Sequence, residues 1–213
     1  MTGELIQISR ALANLEEEQF LSLVQQFLQS GESPLAIVEA CREGMTQVGN
    51  RFAAQEYFVT DLLVSAEIFN SAMNLLGPHL GAVNTGENHA AIVVGTVQGD
   101  IHNIGKDLVV SLLRCSGFTV HDLGINVSPQ GFIDRVRETG ATVLGLSGLL
   151  TIAYPVMAET IAALAGAGLR DKVKVMIGGG MVDDFVCAQV GADAWGKDAV
   201  AAVRLARSFT GGK

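Results

Sequence analysis

The sequence predicts an α/β protein: a four-helix N-terminal bundle followed by a flavodoxin-like (Rossmann-like) parallel five-stranded sheet. Up to about Leu80 the apolar residues repeat only with helical spacing. Beyond a breaker-rich stretch, short strand-like apolar runs alternate strictly with helical segments. Such alternation implies right-handed crossovers and a mostly parallel sheet covered on both faces. With 213 residues, 49% of them hydrophobic and 17% charged, the chain is long enough to bury one large core or two small ones.

The elements follow in order. A short helix is expected near Glu4 to Ala13, then a second over Leu15 to Ser30, with Asn14 as its N-cap and Gly31 as its C′ residue. Ser33-Pro34 starts a third, with proline at the first helical position, where no N–H is needed. Its apolar residues Val38, Cys41, Met45, Val48 and Phe52 alternate spacings of three and four. A fourth helix from about Val59 repeats this with Leu62, Ala66, Phe69, Met73 and Leu76, which pairs it antiparallel to the third. Gly77 to Gly86 reads as a linker rich in breakers. Strands are expected at Ala90–Gly95, Phe118–Asp122, Thr142–Leu146, Val173–Ile177 and, more weakly, Ala192–Trp195. Helices fall between them at about Gly105–Ser116, Pro129–Thr139, Ala153–Ala167, Val182–Gln189 and Asp198–Arg207. The expected domains are therefore 1–80 (helical), 81–89 (linker) and 90–213 (sheet).

Composition excludes several functions. Lys+Arg 14 against Asp+Glu 22 gives a formal net charge of −8, against a nucleic-acid binder with its basic face. No apolar run approaches the ~20 residues that cross a bilayer. Met1-Thr2-Gly3-Glu4 lacks the basic start and apolar run of a signal peptide. Cys41, Cys115 and Cys187 lie far apart in apolar helical contexts, which argues against a disulfide frame or a structural zinc site. A cytoplasmic location is expected.

The chemistry concentrates at loop tips. Gly99-Asp100-Ile101-His102-Asn103-Ile104-Gly105-Lys106 follows the first strand and precedes a helix. It therefore sits at the carboxyl end of a strand, where open α/β sheets bind ligands. The third strand delivers Ser147-Gly148-Leu149-Leu150-Thr151 to the same rim, and the fourth Gly178-Gly179-Gly180. Each has a bland reading: a loop histidine as a cap, Ser147 as a helix cap, the glycines as a tight turn. Their convergence favours a site. A neutral imidazole offers one nitrogen to a metal, and a carboxylate on the other fixes the tautomer and raises its basicity. Asp100, two residues before His102, fits that role, and Ser147 lies on the neighbouring rim, in reach of the carboxylate. No further His or Cys clusters here. One protein ligand is too few for a bare ion, but enough if a macrocycle supplies the other donors. The glycines then leave room for a long appendage between sheet and helix, with Ser147, Thr151 and backbone N–H groups near Gly179 to meet its polar parts.

These motifs resemble the cobalamin-binding signature of corrinoid proteins of methyltransferase systems and of methionine synthase. G-D-I-H-N-I-G-K at 99–106, L-S-G-L-L-T at 146–151 and I-G-G-G at 177–180 stand in that family's order, and V-G-N-R-F at 48–52 with E-Y-F-V-T at 56–60 resembles its helical cap. The resemblance implies a cobalamin bound with its own base displaced. His102 takes the place beneath cobalt, backed by Asp100 and Ser147, and Gly99, Ile101, Asn103, Ile104, Gly105, Leu149, Thr151, Gly178, Gly179 and Gly180 hold the cofactor. It also implies apolar contacts from Phe52 and Val59 above the ring, although helical spacing alone reads both as bundle core. Asn103 and Asp107 stand where relatives often have aspartate and asparagine, and Val59-Thr60 where Leu-Pro is common.

The function implied is a methyl carrier between a substrate-specific methyltransferase and a second one acting on tetrahydrofolate or a thiol, methylcobalamin being its loaded state. A reductive activase is a further partner the resemblance implies, as is proton uptake by the Asp100–His102 pair and gating at Gly77–Gly86. A mutase subunit would share the histidine loop without the helices of residues 1–80. A cobalamin-sensing regulator would need an added DNA-binding module. A phosphoacceptor domain would want aspartate where Ser147 stands.

Overall fold

The computed structural model describes residues 5–80 and 90–211, the side chain of Leu80 excepted. These residues divide into two compact units: the N-terminal helices together with Cys115–Gly117, and the remainder.

The first unit consists of α1 (Ile6–Ala13), α2 (Glu17–Gln29), α3 (Pro34–Ala53) and α4 (Val59–Leu80). Val38, Cys41, Val48, Leu62, Ala66, Phe69 and Leu76 are buried, as the three-and-four spacing requires, while Phe52 is half-buried and Val59 exposed. Two boundaries differ from expectation. Asn14 is the C-cap of α1 rather than the N-cap of α2, which starts at Glu17. Leu15 at φ 60° turns the chain, and the Glu16 N–H returns to the Ala11 carbonyl at 3.0 Å. A C-terminal closure of α1 thus occupies residues that read as a start. Gly31, at φ 85°, does terminate α2. The first part of the linker expected from Gly77 is helical, because α4 continues through Gly77 and Pro78 to Leu80. Proline so near a helix end removes a bond only from the exposed Asn74 carbonyl turn, which water can satisfy. The rest of that stretch, 81–86, lies outside the described residues.

The second unit alternates β1 (Ala91–Thr96), α5 (Ile104–Cys115), β2 (Thr119–Asp122), α6 (Pro129–Thr139), β3 (Val143–Ser147), α7 (Ala153–Gly166), β4 (Lys174–Gly178), α8 (Asp184–Val190), β5 (Ala194–Gly196) and α9 (Ala199–Phe209). All pairings are parallel, in the order β2-β1-β3-β4-β5. All five strands and the helices between them match the alternation read from the sequence, with ends shifted by a few residues. α8 starts two residues late, at Asp184, because the Asp183 carboxylate caps it, accepting the Val186 N–H at 2.9 Å.

The order reverses direction at β1/β3, so loops leaving those strands diverge and open a crevice at their carboxyl ends. Phe132 of α6, Met157 of α7 and Val186 of α8 pack on Val93, Leu144, Val175 and Ile177, sealing one face. On the opposite side of the strands, Thr96, Ser147, Gly178 and Gly196 stand in one row across four strands at the carboxyl rim. Among the described residues no helix is long and apolar enough to cross a membrane.

Candidate cofactor site

The β1–α5 loop carries the site. Asp100, 1% exposed, turns its carboxylate inward. Oδ1 accepts the His102 backbone N–H at 2.9 Å and lies 2.6 Å from His102 Nδ1. Oδ2 accepts the N–H groups of Leu149 at 2.7 Å and Leu150 at 3.2 Å, from the loop after β3. Burial alone would raise this carboxyl, but the four hydrogen bonds from His102, Leu149 and Leu150 outweigh it and hold it at about 2. Asp100 is therefore an acceptor only, so the proton between the pair sits on Nδ1. With the proton on Nδ1, Nε2 is the nitrogen left to face a ligand, on a side chain 48% exposed.

Three further contacts fix the loop. The Thr96 hydroxyl, fully buried, donates to the His102 carbonyl at 2.9 Å. Asn126, in the loop after β2, accepts the Gly99 N–H on Oδ1 at 2.9 Å and donates its own N–H to the Asp100 carbonyl at 3.1 Å. Gly99 takes φ 85°. Asn103 ends the loop, its carbonyl accepting the Asp107 N–H at 2.7 Å to open α5, and Gly105 follows in that helix's first turn. Lys106 is held away from the rim, its buried ammonium bridging Asp107 and both oxygens of Asp122, the latter at 2.7 Å. Thr96, Asn126 and Leu150 are not among the expected site residues; Leu149 is, as a cofactor contact, but not as a backbone donor to Asp100.

Ser147 stands at the end of β3 opposite Thr96, but makes no hydrogen bond to Asp100. The Oδ2 of that carboxylate is occupied by the N–H groups of Leu149 and Leu150. The glycines also divide in role. A Cβ at Gly179 would stand 1.8 Å from the Gly148 carbonyl oxygen, and one at Gly180 would stand 2.7 Å from Leu149 Cδ1. Both abut this chain's own β3–α7 loop rather than walling an open slot. Gly178 differs: a Cβ there would meet only the Gly196 carbonyl, at 3.4 Å. Thr151 is exposed in the turn before α7.

Around His102 the rim is apolar. Ile101, Ile104, Ile125, Leu149, Leu150, Ile152 and Met181 are all large, hydrophobic and exposed, on four neighbouring loops and the start of α5. Such a collar marks a binding surface. A single oriented imidazole nitrogen within it suits a broad apolar macrocycle that already holds its metal. Among the described residues no group of three or more His, Cys, Asp or Glu is placed to hold a bare ion.

The model of the B12 binding domain matches residues 90–204, and a second B12 binding domain model matches residues 5–76. The chain belongs to the B12-binding family. Its cofactor is accordingly a corrinoid, the class that the apolar collar and lone imidazole fit. This B12-binding protein is 31% identical to dimethylamine corrinoid protein 2 of Methanosarcina acetivorans over 99% of its own length and 98% of the relative's. Its structure resembles a cobalamin-binding protein from Desulfitobacterium hafniense at TM-score 0.83 and 37% identity, covering 96% of this chain and 98% of that one. It also resembles a chain of the methanol:cobalamin methyltransferase complex MtaBC from Methanosarcina barkeri at TM-score 0.85 and 25% identity, covering 100% of this chain and 82% of that one.

Proposed function

We propose that this protein is a corrinoid methyl carrier, binding cobalamin with its own base displaced and His102 Nε2 in its place. The observation that carries the reading is the Asp100–His102 pair, 2.6 Å apart within an exposed apolar collar. When bound, the corrinoid supplies a cobalt centre able to accept and release a methyl group.

The chain's own residues do the rest. Asp100 keeps the proton on Nδ1 and the lone pair on Nε2, and its negative charge strengthens the imidazole as a donor. Leu149, Leu150, Ile101 and Ile104 would lie against the ring and exclude water from it. Small residues at Ser147 and Gly178 leave space for the cofactor's tail.

Two partners follow from the chemistry of carriage, a substrate-specific methyltransferase and an acceptor methyltransferase; a reductive activase is a further one. The relatives' names, a dimethylamine corrinoid protein and a methanol:cobalamin methyltransferase complex, support a methyl carrier whose donor is chosen by its partner. The test is transfer of label. Loaded protein incubated with ¹³C-methyl donors and their methyltransferases should retain labelled methyl after gel filtration. It should then surrender that label to tetrahydrofolate or a thiol with an acceptor enzyme. Retention that does not depend on corrinoid, or no retention with methanol, methylamine, betaine and aryl methyl ether systems alike, overturns the reading.

A further inference from the structure

We propose that Asn126 is a positioning residue for the His102 imidazole, clamping the β1–α5 loop from the neighbouring β2–α6 loop. The proposal rests on His102 as the cobalt ligand and deepens that reading. Asn126 has φ 54°, a left-handed backbone that asparagine adopts more readily than most residues with a side chain. Its amide oxygen accepts the Gly99 N–H at 2.9 Å, while its own N–H donates to the Asp100 carbonyl at 3.1 Å. Both bonds grip the two residues whose placement decides where the Asp100 carboxylate lies. That carboxylate then holds His102 twice, at its N–H and at Nδ1.

The side chain of Asn126 is exposed, so it adds nothing to core packing. The two loops are already joined through their backbones, by Thr96 N–H to the Gly124 carbonyl at 2.9 Å and Val127 N–H to the Thr96 carbonyl at 3.0 Å. Asn126 is the one side chain of the β2–α6 loop, among the described residues, that bonds the β1–α5 loop. Its amide is thus spare for the fold and useful for the ligand. An axial imidazole needs its orienting carboxylate held to a fraction of an ångström, and groups that hold such a carboxylate act on the metal through it.

Two substitutions separate the bond from the backbone. Asn126→Gly keeps the left-handed conformation and removes the acceptor. Asn126→Asp keeps an acceptor in the same place. Wild type and both variants, loaded with cobalamin and reduced to Co(II), are compared by electron paramagnetic resonance at the pH where half the wild-type spins show nitrogen coupling. In Asn126→Gly the ratio of coupled to uncoupled spins should fall roughly two- to tenfold, the span of one hydrogen bond. Asn126→Asp should stay within about twofold of wild type. In the cofactor-free proteins the Gly99 amide of Asn126→Gly should exchange faster while amides of β1 and β3 keep their protection. An unchanged ratio in Asn126→Gly, or an equal loss in Asn126→Asp, overturns the proposal while leaving His102 as the ligand. Wild-type protein with no nitrogen coupling at any pH overturns the axial-ligand reading, and this proposal with it.

Discussion

Asp100 Oδ2 accepts the Leu149 N–H at 2.7 Å, so the carboxylate that orients His102 is itself anchored to a loop 49 residues away. The imidazole is held by a relay across the β1/β3 crevice rather than by its own loop alone. The consequences separate by residue.

Removing the carboxylate strands its donors. Asp100→Ala leaves the Leu149 and His102 N–H groups and the imidazole unpartnered beneath the rim. It should cost the cofactor-free protein about 2–3 kcal/mol, the range for losing hydrogen bonds to a charged, buried acceptor. Urea unfolding measures this; a loss no greater than that of an ordinary surface substitution would show that the relay does not stabilise the loop.

Acid should act through the same group. Asp100 is held at about 2, below its unfolded value of 3.8, so the folded state binds fewer protons between those limits. Its contribution to stability is complete above about pH 4 and is lost as pH falls through about 2. Asp193 is lowered too: burial opposes this, but the Val175 N–H, Arg170 and Lys174 prevail, so it adds a loss in acid. The difference between wild type and Asp100→Asn isolates the first group: the variant should show a shallower fall in unfolding free energy from pH 4 to pH 2. Parallel curves would assign acid sensitivity elsewhere.

Ser147 makes no bond to Asp100, so Ser147→Ala should leave cofactor-free stability within about 0.5 kcal/mol of wild type. Any effect should emerge only on corrinoid affinity. Thermal melts with and without cofactor tell these apart, and a large loss in the cofactor-free protein would place the hydroxyl in the relay after all.

The glycines at the end of β4 and just after it make opposite predictions. Gly179→Ala forces a Cβ into the Gly148 carbonyl at φ 151° and should lower the melting temperature of the cofactor-free protein. Gly178→Ala should fold normally but bind corrinoid more weakly, because its Cβ enters the space left beside Gly196. The lone tryptophan, Trp195 on β5, offers a fluorescence readout of binding. Equal losses of stability in both variants would mean Gly178 is needed for packing alone.

Much of this was legible in the residues. The β1 run, the switch to strand–helix alternation and the Asp100–His102 spacing place one imidazole on the carboxyl rim without any coordinates. The partners of Asp100 were not legible. Leu149 and Leu150 contribute backbone N–H groups, which any residue type carries. Asn126 reaches Gly99 across 27 residues, a distance that local pattern does not encode. The Gly179–Gly148 approach looked like room for a ligand because glycine marks close approach without saying to what. Asn14 misled because the residues that cap a helix start also close a helix end.

Electron paramagnetic resonance of the Co(II) form, with ¹⁴N- and ¹⁵N-histidine, tests the central claim most directly. Wild-type protein should show coupling to one nitrogen that changes with the isotope. His102→Ala should still take up some corrinoid and lose that coupling entirely. The same coupling persisting in His102→Ala would contradict His102 as the ligand beneath cobalt.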